Sequence, residues 1–341
     1  MALSDVVRRE FKASDDERDR GLTVPADVVR FDDICYVERE QATVGSVENG
    51  EHGLEEISEA GISRWQYLDV YRPKTAGDSK LPVIVNVHGG GWIYGDKETY
   101  QFYCMDLCRR GFAVVNFSYR LAPEYKFPSQ LEDTNMVFHW VLRHAEEYGF
   151  DIDRIYAVGD SAGANILALY AIMCTNREYA AKYAFKVPMM PVSDDRDASG
   201  RMKRREKERN LVPRAVALNC GFYDVKANKR EMDGFMKELM PEKELEKELD
   251  RICVTKYINE DFPPTFLMTC YGDFLMDQAP LLEKRLKELG IIYESRLYGS
   301  EEHPLKHVFH CDIRMEEAKI CNDETCRFCE TLEVKKQDDK D

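Results

Sequence analysis

The chain has 341 residues, 44% of them hydrophobic, and a formal net charge of −15 at pH 7. That is apolar material enough for a full core, and a surface too acidic to suit phosphate backbones or anionic membranes. The first twenty residues, MALSDVVRREFKASDDERDR, are charged throughout and lack the apolar core of a signal peptide, and the longest apolar stretch, Ile166 to Cys174, reaches only about half of a bilayer span. These features predict a cytoplasmic protein with no nucleic-acid and no membrane partner, whose eleven cysteines are reduced thiols.

In chain order, residues 1–60 come first; they are polar and mixed, without a strand run, and are assigned to a cap. Short apolar runs then alternate with helix-like stretches. Strands are predicted at 65–73, 81–89, 112–120, 154–160, 215–221, 265–273 and 293–300, and helices near 97–110, 129–148, 163–176, 277–290 and 312–332. Such alternation of near-continuous apolar strands with helices predicts an α/β fold whose mainly parallel central sheet is flanked by helices on both faces. In sheets of this kind ligands bind at the carboxyl ends of the strands, so chemistry is sought in the loops that follow them. Two segments break the alternation. Residues 187–210 read as an exposed insertion, where the basic run Arg201–Arg209 is interleaved with Glu206 and Glu208 and so reads as solvated surface. Residues 222–262 are helical in composition, interrupted at Pro241, and are assigned to the cap.

One stretch carries chemistry in its pattern. In IYAVGDSAGANILALYAIMC (155–174) an apolar strand runs into an Ala- and Leu-rich helix through Gly159-Asp160-Ser161-Ala162-Gly163. This is G-x-S-x-G in the strand–turn–helix context that holds a nucleophilic hydroxyl clear of the backbone at a helix N-terminus. An alcohol is a weak nucleophile, so the turn needs a base, an orienting carboxylate and donors for an oxyanion. The donors are read from NVHGGGWIYGD (86–96), where Gly89, Gly90 and Gly91 follow a strand directly and let backbone N–H groups converge without side chains in the way. The amide of Ala162, next after the serine, joins them.

HGGGW (88–92), YRLAPE (119–124) and GDSAGAN (159–165), in that order, resemble the hormone-sensitive-lipase-like branch of the α/β-hydrolases, which includes many bacterial carboxylesterases. The likeness runs from about Trp65 to the final helix. It implies an α/β-hydrolase catalytic domain over 61–341 with a helical cap, and a triad in the order Ser, Asp, His. Ser161 is then the nucleophile. The acid is Asp273 in YGDFLMDQA (271–279), with Asp277 as the second acidic position. Of His303, His307 and His310, only His307 has the family's H-x-F arrangement, with Phe309, and it is taken as the base. The stretch from Gly299 to His307 is longer than the family pattern, and His303 lies closer to the usual spacing. Arg120 and Glu124 are expected to fix a loop, and Tyr119 to support it.

The resemblance thus implies a serine carboxylesterase for small short-chain esters, working through an acyl-enzyme with no metal and no organic cofactor. The same residues would serve an amidase, a formamidase or a sugar deacetylase, and a non-catalytic binding protein on this fold is the rival from another class. Cys321, Cys326 and Cys329 can share one face of the terminal helix. They are read as buried thiols; a metal site would need Cys311 or His310 as a fourth ligand. The sequence leaves the oligomeric state open, a homo-oligomer included.

Overall fold

The seven apolar runs are strands of one sheet, and an eighth comes from the N-terminal region. The computed structural model describes residues 2–37, 63–191, 208–241 and 248–338. The strands are β1 (Val28–Cys35), β2 (Tyr67–Pro73), β3 (Leu81–Val87), β4 (Ala113–Phe117), β5 (Phe150–Asp160), β8 (Val216–Asn219), β9 (Thr265–Cys270) and β10 (Tyr293–Tyr298). The remaining two, β6 (Met189–Pro191) and β7 (Glu208–Asn210), form a separate antiparallel pair. The large sheet has the order β1-β2-β4-β3-β5-β8-β9-β10. Only β1–β2 and β2–β4 pair antiparallel, so the sheet is mainly parallel as expected.

Its centre is dry. Val83, Ile84, Val85 and Val87 of β3 and every residue of β4 are buried, because helices cover both faces. The helices are α1 (Leu3–Asp19), α2 (Lys97–Cys108), α3 (Ser129–Arg143), α4 (Ala162–Thr175), α5 (Arg177–Ala180), α6 (Lys229–Leu239), α7 (Val254–Tyr257), α8 (Gln278–Glu288) and α9 (Glu316–Asp338). The helix α4 is buried on all sides from Ala162 to Cys174, which its Ala, Leu and Ile content permits. No helix among the described residues is long and apolar enough to cross a membrane.

The first 37 residues depart from the expectation of a segment without a strand. They hold α1 and β1, and neither shows in local patterning. Of α1 only Ser4 and Val7 are buried. In β1 the register shifts between Phe31 and Ile34, and Asp33 has φ of 58°. The charges that hide this strand are answered from elsewhere: Lys97 Nζ lies 2.7 Å from Asp33 and 3.0 Å from buried Asp69. Of the insertion at 187–210, the two ends are β6 and β7, and residues 192–207, including most of the basic run, lie outside the described residues. Residues 242–247 of the second cap segment also lie outside them.

Cys321, Cys326 and Cys329 sit on α9 with their thiols buried in the layer that includes Phe266 and Phe328. Burial pushes the Cys321 thiol up to about 12 and raises Cys326 as well. They are apolar packing groups there.

Candidate active site

Ser161 occupies the turn between β5 and α4 with φ of 52° and ψ of −119°. A non-glycine residue held there costs on the order of 1–3 kcal/mol, which the surrounding structure must offset. Its own amide donates to the Asn219 carbonyl at the end of β8 (2.9 Å). The turn is tight because the chain passes close behind it: a Cβ on Gly163 would stand 2.1 Å from the Val87 carbonyl oxygen. Only glycine fits.

Asp273 lies three residues past the end of β9. Its Oδ1 accepts the Leu275 amide (2.8 Å) and its Oδ2 accepts the Thr269 hydroxyl (3.0 Å). Burial would raise its pKa, but the hydrogen bond and charge of His307, with the Leu275 amide, outweigh that and hold it below the ordinary carboxylate value.

The histidine expected as base reaches the serine. His307 Nδ1 donates to Asp273 Oδ1 (2.7 Å), which leaves Nε2 to accept from Ser161 Oγ (2.9 Å). The long spacing from Gly299 is absorbed locally. Residues 300–303 close a turn, Ser300 N–H to the His303 carbonyl and back, and Leu305 N–H then clips to the Tyr271 carbonyl at 2.7 Å, so that His307 emerges beside the strand ends. His303 is carried outward to Glu317 (3.1 Å). His310 is wholly buried; burial, then the charges of His307 and Arg18, push it down to about 3, so it stays neutral. Asp277 stands at the N-terminus of α8, and the carboxylate bonded to His307 is that of Asp273.

The glycine loop shows how the amides are aimed. A trans peptide points its N–H opposite to its C=O. The Gly89 carbonyl accepts His88 Nδ1–H (2.8 Å), and the Gly90 carbonyl accepts the amides of Tyr94 (3.0 Å) and Ile93 (3.2 Å). The N–H groups of Gly90 and Gly91 therefore face the other way. Positive φ at both, 104° and 62°, makes this path available to glycine. Among the described residues, the amides of Gly90, Gly91 and Ala162 have no protein acceptor. Of the three glycines, any two of which could serve as donors, Gly89 is the one already engaged: its N–H donates to Tyr100 Oη (3.0 Å). The reason is tertiary, since Tyr100 comes from α2.

His88 is buried, stacked on Tyr119 at 3.9 Å, and burial pushes it down to about 4, so it remains a neutral donor to Gly89. Tyr119 Oη donates to the His88 carbonyl (2.9 Å). Arg120 binds Asp133 and Glu132, and Glu124 takes a two-pronged bond from Arg8 of α1 (2.6 and 2.7 Å). Arg8 also donates to the Ile93 carbonyl, which fastens α1 to the glycine loop. From α6, Phe235 presses on Gly91, where a Cβ would meet its ring at 2.4 Å. Phe274 stands beside His307, ring centres 4.5 Å apart.

Sequence reading missed Tyr100 and Cys220, which carry no motif. Cys220 follows β8, and its sulfur lies within 4.8 Å of ligand atoms on Asp273 and His307. That trio has the donor set of a metal site, but the 2.7 Å imidazole–carboxylate hydrogen bond already uses two of its members for holding a proton.

Asp160, the residue before Ser161, has an unusual state. Burial lifts its pKa to about 7, against the Tyr100 hydrogen bond and the charges of His307 and Arg18, while Asp15 adds to the rise. Cys104 from α2, Cys311 from the C-terminal loop and Tyr119 after β4 also face it. Since the unfolded value is 3.8, the native chain keeps a proton between those pH values that the unfolded chain has lost. Stability is therefore withdrawn as pH rises from 4 to 7, and no more is lost above that. Asp160→Asn removes this dependence. The stability of the variant relative to the native chain should rise from pH 5 to pH 8 by on the order of 2–3 kcal/mol, measured by urea unfolding at both pH values.

A parallel sheet flanked by helices, a serine on a strained strand–helix turn and a His–Asp pair delivered by later loops define an α/β-hydrolase. Residues 84–307 match the model of the alpha/beta hydrolase fold family Abhydrolase_3, and the chain belongs to that family. It is similar to the versiconal hemiacetal acetate esterase of Dothistroma septosporum, 30% identical over 233 residues, which are 65% of this chain and 66% of that protein. It is also similar to the carboxylesterase NlhH of Mycobacterium tuberculosis, 42% identical over 108 residues, 30% of this chain and 32% of that one. The chain thus spans less than two thirds of the length of these relatives. Esterase B from Lactobacillus rhamnosis shares the fold with a TM-score of 0.78 at 22% identity, covering 99% of this chain and 96% of that one.

Proposed function

We propose that this chain is a serine carboxylesterase acting on small, short-chain carboxylic esters. The observation that carries the reading is the hydrogen-bonded line Ser161–His307–Asp273, at 2.9 and 2.7 Å, beside backbone amides with no protein acceptor. In this reading His307 Nε2 takes the proton from Ser161 Oγ as the oxygen attacks an ester carbonyl, and Asp273 steadies the imidazolium. The amides of Gly90, Gly91 and Ala162 receive the tetrahedral oxyanion; each such donor is worth roughly 3–4 kcal/mol in the transition state. The alkoxide leaves with the proton from His307. Water, activated by the same imidazole, then releases the acid from the acyl-enzyme.

Short acyl groups suit a site flanked by Phe235 at Gly91 and Phe274 at His307. The relatives named above, an acetate esterase and a carboxylesterase, support ester over amide. We assign α1 and α6 to the cover of the site and the chain from 61 onward to the catalytic domain, and we place the protein in the cytoplasm with no nucleic-acid partner.

The test is a series of p-nitrophenyl acetate, butyrate and octanoate against matched anilides, with fluorophosphonate labelling in parallel. The expected result is the highest kcat/KM on acetate or butyrate and a label on Ser161. Faster anilide cleavage would make it an amidase, and a folded chain that takes no label would make it a binding protein.

A further inference from the structure

The proposed oxyanion site draws its amides from two separate loops: Gly90 and Gly91 follow β3, whereas Ala162 follows β5. Their convergence on one oxygen requires those loops to keep a fixed spacing. Among the described residues, a side-chain connection through Tyr100 joins them. The Gly89 N–H donates to Tyr100 Oη (3.0 Å), and the Tyr100 hydroxyl donates to Asp160 Oδ2 (2.8 Å). Gly89 is bonded directly to Gly90, and Asp160 directly precedes the nucleophile.

The connection has no slack. A Cβ on Gly89 would stand 2.5 Å from Asp160 Oδ2 and 3.0 Å from Tyr100 Oη. The same His88–Gly89 peptide is held from its other end, where its carbonyl accepts from Tyr119. Tyr100 is nearly and Asp160 almost wholly buried, and Asp160 Oδ1 has no partner among the described residues. A carboxyl group buried with one oxygen unpaired is costly. A role confined to packing does not call for it; orienting Tyr100 through an acceptor does.

We propose that Tyr100 and Asp160 are positioning residues for this reaction, a strut tying the glycine loop to the serine turn so that the Gly90, Gly91 and Ala162 amides stay aimed at one oxygen. Neither touches the reacting atoms, and the inference rests on the esterase reading above. Burial raises the pKa of Asp160, and the Tyr100 hydrogen bond opposes that rise, as a bond to the carboxylate form does.

The experiment compares the full chain with Tyr100→Phe, Asp160→Asn and Asp160→Ala on p-nitrophenyl butyrate. It also uses a trifluoromethyl ketone labelled with carbon-13 at the carbonyl. Ser161 Oγ adds to that carbonyl, its proton passes to His307, and the carbonyl oxygen becomes an oxyanion in the site, whose titration is read by NMR. Because small errors of aim are costly, Tyr100→Phe should lower kcat about tenfold to a hundredfold with KM within about threefold. The hemiketal oxyanion should then titrate at higher pH, a change that loss of packing alone would not cause. Asp160→Asn, which keeps an acceptor for Tyr100, should retain more of kcat than Asp160→Ala. Tyr100→Phe with kcat and oxyanion titration equal to those of the native chain overturns the inference alone. A native chain that neither cleaves the ester nor forms the adduct overturns the esterase reading and this inference with it.

Discussion

Ser161→Ala should lower kcat for p-nitrophenyl butyrate by roughly 10⁵- to 10⁶-fold, to a residue set by binding and the oxyanion amides alone. The size of the loss follows from the geometry. The hydroxyl is the atom to which His307 is bonded at 2.9 Å, and it sits at the N-terminus of α4 on a turn with φ of 52°. Alanine retains the turn and removes only the oxygen, so the variant should melt close to the native temperature. Initial rates with active-site titration check the result. A variant that keeps more than a hundredth of the native rate would require a different nucleophile.

His307→Ala should cost a loss of comparable size, because an alcohol without its base is nearly inert. The companion variant decides the assignment. His303→Ala should leave kcat within about twofold, since His303 is exposed and bonded to Glu317 on α9 rather than to the serine. The two variants measured side by side on one ester give opposite expectations. Loss of turnover in His303→Ala with retention in His307→Ala would mean that the C-terminal loop takes another path in solution.

The legible part of this protein was what repeats over short distances. Apolar runs such as LPVIVNVHG and FAVVNFSYR can hardly be anything but buried parallel strands, and they form β3 and β4. The G-x-S-x-G turn is a local steric solution, so the position of Ser161 at a strand–helix junction was readable from five residues. By contrast α1 and β1 are built from charged residues whose partners, among them Glu124 for Arg8 and Lys97 for Asp33, lie far along the chain. No local period announces them.

The sequence by itself determined the fold class, the strand order of the chemistry and the single serine that a tight turn would present. The tertiary structure decided which glycine amides lack a protein acceptor among the described residues and which is taken by Tyr100. It also decided how a loop longer than usual could deliver His307, a residue 146 positions from the serine it bonds. The physical reason is the range of the forces involved. Backbone sterics and hydrophobic periodicity act within a few residues and are written in the chain as pattern, whereas a hydrogen bond between groups on different strands exists only once packing has brought them within about 3 Å.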